Sequence, residues 1–341
     1  MADSVALLRR KVEDTSLAVQ DGTMNSVITL AAIEFGKGNV KVGEMHVAGL
    51  KRLVALRGGI NSVRQTSPLT ARMVSWYDQL SCRGTATDLP CRVSMLIMGF
   101  PQFETQDDLG VGDGIPPIPE WQMDPPALDQ DVLGCYGAFV DSEVENVLAR
   151  LRNVFQRAQQ VPLTPTKLHD LTCFVVHRLM SPSLVTIGTP SSPLSECIRC
   201  AIILYMLTIQ GPTYYTHAAM SATIAGLLAM CYEQLESTLH VHGPIDVWLM
   251  AVGLVASAGM PSHGWFIEKS RRICEELRIH SWEGAAATVK RVLWLETARG
   301  KDMFRAHWDV AWGVASQPEP PDAVSGLLPT SADVAGLQNL M

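Results

Sequence analysis

Apolar residues recur at offsets of three and four along most of the chain, which is the spacing of one helix face. This pattern predicts helices at 3–13, 24–36, 39–57, 68–82, 141–159, 165–180, 194–210, 214–239, 244–259, 262–278, 282–298 and 301–313. Alternating β-branched runs are limited to short pieces such as 185–187, which prolines bracket. We therefore predict an all-α protein, built as an irregular array of antiparallel helix pairs.

Turn and cap residues mark the ends of these helices. Pro68, Pro165 and Pro244 stand at predicted helix starts, where the missing proline N–H does no harm. Ser281 is a candidate N-cap, because its hydroxyl can accept a hydrogen bond from a free amide of the first turn. The candidate C-caps are Gly36, Gly58 and Gly300.

The stretch from Met45 to Ile60 carries the most specific of these signals. Its apolar residues share one helix face, whereas Lys51 and Arg52 point elsewhere; the apolar set is Val47, Leu50, Leu53 and Val54. Gly58 and Gly59 can then supply the positive φ that a helix-ending turn requires. We interpret Arg57 as a cation that complements the negative end of the helix dipole, rather than as a ligand-binding residue.

Length and composition indicate a folded chain with a large core. Hydrophobic residues make up 47% of the 341 residues and charged residues 18%. The longest apolar windows, 218–231 and 247–260, contain Gly or Ser and are shorter than the roughly 20 residues that cross a bilayer. We interpret them as buried helices and expect no membrane span. The N-terminus shows no secretory signal, so we expect an intracellular protein that is not secreted.

Acidic residues are concentrated in one proline-rich segment, 101–134. It contains eight Asp or Glu, six Pro and no Lys or Arg, while the rest of the chain is nearly neutral, with 27 basic and 26 acidic residues. Without a basic stripe to neutralise phosphates, the chain should not bind nucleic acid directly. We predict one helical domain over 1–314, with 101–134 as a solvated insertion, and a flexible tail over 315–341. Disorder or an interaction surface is the alternative for the insertion.

Candidate metal and catalytic residues are few. Eight scattered cysteines indicate reduced, buried thiols, and Cys197-Ile198-Arg199-Cys200 lacks the second pair that a four-ligand zinc site needs. His169, Cys173 and His177 share a helix face, but they span about 12 Å, too far for one ion to reach both ends. His240 and His242 lie at a predicted helix exit. We therefore expect no catalytic, cofactor or metal site, since phosphate-loop and hydrolase motifs are also missing.

The tryptophans admit two interpretations. Trp248, Trp265, Trp294 and Trp308 are predicted to lie on apolar helices, where core packing is the simpler role. A small-molecule pocket between helices is the alternative, because helical bundles commonly place ligand sites there. Fifteen methionines suit an adaptable cavity and an adaptable core equally.

Three segments together resemble the regulatory domain of fungal zinc-cluster transcription factors. They are residues 31–38, residues 46–60 with the pattern His-x-x-Gly-Leu followed by Arg-Gly-Gly-Ile, and Trp76-Tyr77-Asp78; later tryptophan-bearing segments from Trp265 to Trp308 fit more weakly. The resemblance covers residues 15–312 and implies a nuclear location; without the resemblance, we expect a cytoplasmic protein. It also implies protein partners of the transcription machinery or self-association, and a possible small-molecule effector. The family-motif residues are His46, Gly49, Leu50, Arg57, Gly58, Gly59, Trp76 and Asp78.

The chain departs from that family in its cysteines. The family binds DNA through six closely spaced N-terminal cysteines that coordinate two zinc ions, and the cysteine spacings here cannot form such a cluster. We therefore expect a non-catalytic regulatory domain without its own DNA-binding head, whether the head is missing from the protein or only from this sequence. The alternative is an enzyme or biosynthetic accessory protein on a repurposed helical scaffold, to which His169, Cys173 and His240 would contribute.

Overall fold

The computed structural model describes residues 2–37, 39–80, 118–126, 140–180, 192–210, 215–238 and 241–313. Within these ranges the regular structure is helical and contains no β-strand, which confirms the all-α prediction. The helices are α1 (Ala2–Glu13), α2 (Thr15–Ala18), α3 (Asp21–Gly36), α4 (Val40–Leu56), α5 (Ile60–Thr66), α6 (Pro68–Leu80), α7 (Ser142–Ala158), α8 (Pro165–Met180), α9 (Pro193–Gln210), α10 (Tyr215–Glu236), α11 (Pro244–Ala256), α12 (His263–Glu276), α13 (Trp282–Val292) and α14 (Ala298–Ala311).

The predicted start residues are found at four of the described helices. The three predicted prolines are the first residues of α6, α8 and α11. The Ser281 hydroxyl accepts a hydrogen bond from the Gly284 amide at 3.2 Å, as expected for the N-cap of α13. Gly36 was predicted as a C-cap, but it is the last residue of α3 and Lys37 takes the cap position.

The predicted helix 282–298 is wrong at its C-terminal end. Helix α13 ends at Val292, and Leu293 has an extended backbone. Tertiary hydrogen bonds fix this break: the Trp248 indole donates to the Leu293 carbonyl at 3.0 Å, and the Leu295 amide donates to the Tyr205 hydroxyl at 2.8 Å. Trp294 therefore lies in a buried non-helical segment rather than on a helix.

Gly300 does not end a helix, contrary to the prediction. It lies in the first turn of α14, where its amide donates to the Thr297 side chain at 3.0 Å. Thr297 is thus the N-cap that starts α14. Residues 293–297 are not helical, with extended backbones at Leu293 and Thr297, and this helix begins at Ala298 instead of residue 301.

Part of the predicted acidic insertion packs against the helices. Residues Pro119–Gln122 form a short 3₁₀ helix, and the Trp121 ring is buried edge-on against Phe174 of α8, with ring centroids 5.2 Å apart. Arg150 of α7 donates to the Trp121 carbonyl at 2.7 Å. Ile118 and Trp121 are therefore packed into the core, whereas Pro119, Pro126 and residues 122–124 are exposed. The remainder of 101–134, apart from residues 118–126, and the predicted tail 315–341 lie outside the described residues.

Helix α9 lies at the centre of the fold. Every residue from Leu194 to Leu207 is buried, and the helix packs against α7, α8, α10 and α11. By length and composition alone this helix could cross a bilayer, but 78% of its apolar window is buried inside the protein. Burial around its whole circumference is typical of a core helix.

An aromatic cluster around Tyr205 joins α9 to its neighbours. The Tyr205 ring lies 6.0 to 6.4 Å from the rings of Phe155, Trp248, Trp294 and Phe304. These side chains are buried and come from α7, α11, the non-helical segment 293–297 and α14. Edge and tilted contacts of this kind stabilise a core beyond simple apolar burial. The interpretation of Trp248 and Trp294 as core residues is therefore confirmed.

Candidate functional site

Helix α4 carries three of the family-motif residues, His46, Gly49 and Leu50. The apolar face predicted for this helix is buried, with Leu50 only 1% exposed. His46 and Gly49 are half-buried, and a methyl group added at Gly49 would meet no atom within 4 Å. Met45 and Leu56 are each 62% exposed. Trp76 and Asp78 lie on α6, but their side chains are outside the described part of the structure.

The glycine pair ends α4 as predicted. Gly58 and Gly59 both have positive φ, 91° and 88°. The Gly59 amide donates to the Val54 carbonyl at 2.9 Å and the Gly58 amide donates to the Ala55 carbonyl at 3.0 Å, which is the hydrogen-bond pattern of a Schellman motif. Helix α5 begins immediately afterwards at Ile60.

Arg57 has a larger role than the helix-dipole interpretation gave it. Its guanidinium, only 15% exposed, donates to the Val19 carbonyl at 3.1 Å, to the Thr66 hydroxyl at 2.6 Å and to the Asp21 carboxylate. The hydrogen bond from Arg57 lowers the pKa of Asp21. Arg57 therefore connects the end of α4 to α5 and to the turn between α2 and α3.

His169 and Cys173 are in contact on α8, as predicted, but both side chains are neutral and pack in the interior. The Cys173 sulfur lies 3.5 Å from His169 Nε2, and the Gln210 amide lies 2.5 Å from His169 Nδ1. Burial lowers the pKa of His169 and raises that of the Cys173 thiol, so both groups stay neutral near pH 7. A buried, protonated thiol is a poor nucleophile and a poor metal ligand.

Two other histidines, His242 and His263, also form internal contacts. His242 Nδ1 lies 2.5 Å from the Glu276 carboxylate, whereas His240 is outside the described residues. Ser257 and His263 form a 3.1 Å contact that resembles a nucleophile–base pair, yet Ser257 is fully buried. The ring that neighbours His263 is that of His307, with centroids 6.1 Å apart, whereas the base of a catalytic pair is usually oriented by a carboxylate. This arrangement therefore gives no acyl-transfer site.

The described cysteines are free and buried. Burial raises the pKa of the Cys197 and Cys200 thiols well above the usual range, which makes a reactive thiol pair chemically unfavourable. Among the described residues, no three His, Cys, Asp or Glu side chains come together with metal-binding geometry.

Sequence reasoning missed a long-range ion pair near His169. Arg72 of α6 donates to both carboxylate oxygens of Asp170 on α8, at 2.7 and 2.9 Å. The two residues are 98 positions apart, so no local signal connects them. This pair joins the N-terminal helices to the central ones.

Three concavities occur in the described part of the chain around α13. An enclosed cavity of about 20 Å³ lies beneath Trp282 and Trp308. An open groove of about 290 Å³ separates α13 from α14, and a cleft of about 110 Å³ lies between α7 and the segment that follows α13. The groove is the largest of the three, and its rim carries Lys290, Lys301 and Arg305. This groove was not predicted from the sequence, and the run of small residues at Gly284–Ala287 is the signal that could have indicated it.

No family model, no curated protein and no solved structure matches this chain.

Proposed function

We propose that this chain is a non-catalytic regulatory domain of transcription that acts in the nucleus through protein partners or a small-molecule effector. In this proposal the chain itself makes no direct contact with nucleic acid. The observation that carries it is the folded form of residues 46–60: a one-faced helix, a glycine-pair turn and an arginine whose contacts fix the turn. The same residues carry the resemblance to fungal zinc-cluster regulators.

The three concavities around α13 support protein contacts as the mode of action. The interior under Trp282 and Trp308 leaves about 20 Å³, room for roughly one water molecule, and its lining is largely apolar. Drug-sized ligands usually occupy pockets of about 300 Å³ or more that enclose most of their surface. The larger concavities described here are open and have charged rims, which suits a surface that meets another protein.

The proposal is tested by deleting the gene and comparing transcript profiles of the deletion and parent strains. Deletion should change a coherent group of transcripts, and re-expression of the complete wild-type protein should restore them. An unchanged profile under all growth conditions tried would overturn the proposal.

A second experiment tests whether the chain acts on transcription directly or indirectly. The full chain is fused to an unrelated DNA-binding domain and tested on a reporter that carries its binding site. We expect reporter output to change relative to the DNA-binding domain alone. If the deletion alters transcripts but the tethered chain leaves the reporter unchanged, direct action of this domain at promoters is contradicted.

A further inference from the structure

The groove between α13 and α14 has an apolar floor and a basic wall. Trp282, Ala286 and Ala287 of α13 form the floor, and the short alanine side chains give the groove its depth. Lys301 and Arg305 of α14 form the opposite wall. Both cationic residues of this wall are exposed to solvent.

The charges of the groove favour an acidic occupant. Three of its lining residues are cations, and Glu283 at the Trp282 end is the single carboxylate in the lining. Lys290 pairs with Glu296 at 2.7 Å, and Arg305 lies 3.8 Å from Asp309. Lys301 has no ion pair with any of the described residues. These two ion pairs offset two of the three cations, so Lys301 is the cation most open to a carboxylate of a partner. Charge complementarity attracts that carboxylate toward the Lys290 and Lys301 end of the groove.

The length of the groove excludes a single small anion as its natural occupant. Glu283 and Lys290 are two helical turns apart, about 10 Å at 1.5 Å per residue. One phosphate or carboxylate would engage only part of that length and would leave the alanine floor uncovered. An elongated ligand with apolar and acidic groups on the same side matches both features.

The neighbouring cleft extends the same surface. Lys290 also lines the 110 Å³ cleft, together with Arg152, Gln156 and Gln159 of α7. Hydrogen-bond donors therefore continue beyond the groove toward α7.

We propose that the α13–α14 groove binds an acidic, amphipathic helical segment of a partner protein. A leucine-like side chain of the partner covers Ala286 and Ala287, and its carboxylates meet Lys290, Lys301 and Arg305. Helix-in-groove recognition uses anchors spaced three and four residues apart, which fits the two-turn length of the floor. This inference rests on the proposed regulatory function, for which it names the class of partner.

The test uses the full chain and a fluorescein-labelled synthetic peptide of 14 residues, with leucines at helical spacing and Asp or Glu at the other positions. A matched peptide carries Asn and Gln in place of Asp and Glu. Fluorescence anisotropy should show micromolar binding of the acidic peptide, at least about tenfold weaker binding of the amide peptide, and loss of affinity as salt is raised.

Two variants locate the binding site. Ala286→Trp fills the floor, and the double change Lys301→Glu with Arg305→Glu reverses the wall; each should weaken the acidic peptide at least about tenfold. The matched control is Arg9→Glu with Arg10→Glu on α1, which makes the same change in net charge at exposed positions. This control should retain most of the affinity. Thermal melts show whether every variant is folded. Because the two groove variants change different parts of the groove, weaker binding by both places the peptide there.

Equal affinity of the wild-type, control and wall-reversed chains would overturn the inference, as would no binding up to about 1 mM peptide. The outcome is distinguishable from failure of the proposed function. If gene deletion changes transcripts but the peptide does not bind, the regulatory proposal stands and the groove proposal fails. If the peptide binds in the groove but transcripts do not change, the groove proposal stands and the regulatory proposal fails.

Discussion

Gly253 of α11 provides the sharpest test of the packing described here. A methyl group built at this position would lie 2.0 Å from Cε1 and 2.4 Å from Cδ1 of Phe266 on α12. The Phe266 ring is fully buried, and Trp265 packs edge-on against it with centroids 4.8 Å apart. Gly253→Ala therefore forces a displacement of a ring that has little space to move.

Two opposing effects decide how much Gly253→Ala changes the free energy of unfolding. Alanine in place of a helical glycine gains about 0.5–1 kcal/mol, because the unfolded chain loses conformational freedom. Overpacking a well-filled core costs about 1–3 kcal/mol, since carbon atoms prefer separations of about 3.5–4 Å. An approach of 2.0 Å is far inside that separation, so we take the upper half of the overpacking cost and expect Gly253→Ala to lower the free energy of unfolding by about 1–2.5 kcal/mol. Gly49→Ala on α4 is the matched control, and should raise it by up to about 1 kcal/mol because that site is open.

The assay is urea denaturation followed by far-UV circular dichroism and tryptophan fluorescence. The two variants should shift the midpoint in opposite directions with unchanged slopes. Adding Phe266→Leu to Gly253→Ala should cost less than the sum of the two single changes, because the smaller side chain relieves the clash. A Gly253→Ala chain as stable as wild type would refute the proposed helix contact.

Three further predictions concern the α4 turn and one half-buried histidine. Gly58→Val should lower the free energy of unfolding by about 1–3 kcal/mol, because a β-branched residue is strained at φ 91°, and Gly58→Asn should cost less; equal thermal melts of Gly58→Val and wild type would contradict this. Arg57→Met should cost about 1–3 kcal/mol, because it leaves a carbonyl and a carboxylate without their donor, whereas the exposed control Arg52→Met should stay within about 0.5 kcal/mol in urea melts. Burial lowers the pKa of His307 from 6.5 to about 4, so the unfolded chain binds the proton first as pH falls. Stability should therefore drop between about pH 6.5 and 4 by up to about 3 kcal/mol, and His307→Phe should flatten that pH dependence in urea melts; an unaltered slope would disprove it.

Local sequence signals were enough to place most helices. Prolines start α6, α8 and α11, and Ser281 caps α13. Each of these signals acts on residues within one helical turn, so it can be recognised from the local sequence. The break after Val292 has no such signal, because Leu293, Trp294 and Leu295 continue an apolar run. Hydrogen bonds from other helices decide it, and these depend on the complete fold.

The same reasoning explains what was missed at the candidate sites. Arg57 and Asp21 are 36 residues apart, and Arg72 and Asp170 are 98 apart. The periodicity of one helix cannot reveal which distant carboxylate an arginine will meet. The α13–α14 groove is likewise a product of two helices, although the alanines of its floor were visible as a run of small residues.

Arg57 and the groove cations are expected to have different roles: Arg57 stabilises the fold, whereas Lys301 and Arg305 bind the partner. The hydrogen-bonding capacity of Arg57 is directed inward, to groups on α3, α5 and the turn before α3, so its loss acts first on the folded state. Lys301 and Arg305 are exposed, and surface charges of this kind contribute little to folding. Arg57→Met should therefore reduce stability and transcriptional effect together. The double change Lys301→Glu and Arg305→Glu should leave the urea midpoint almost unchanged while it weakens peptide binding and the transcriptional effect. If the wall-reversed chain unfolded at clearly lower urea, the assignment of these two residues to partner binding alone would be wrong.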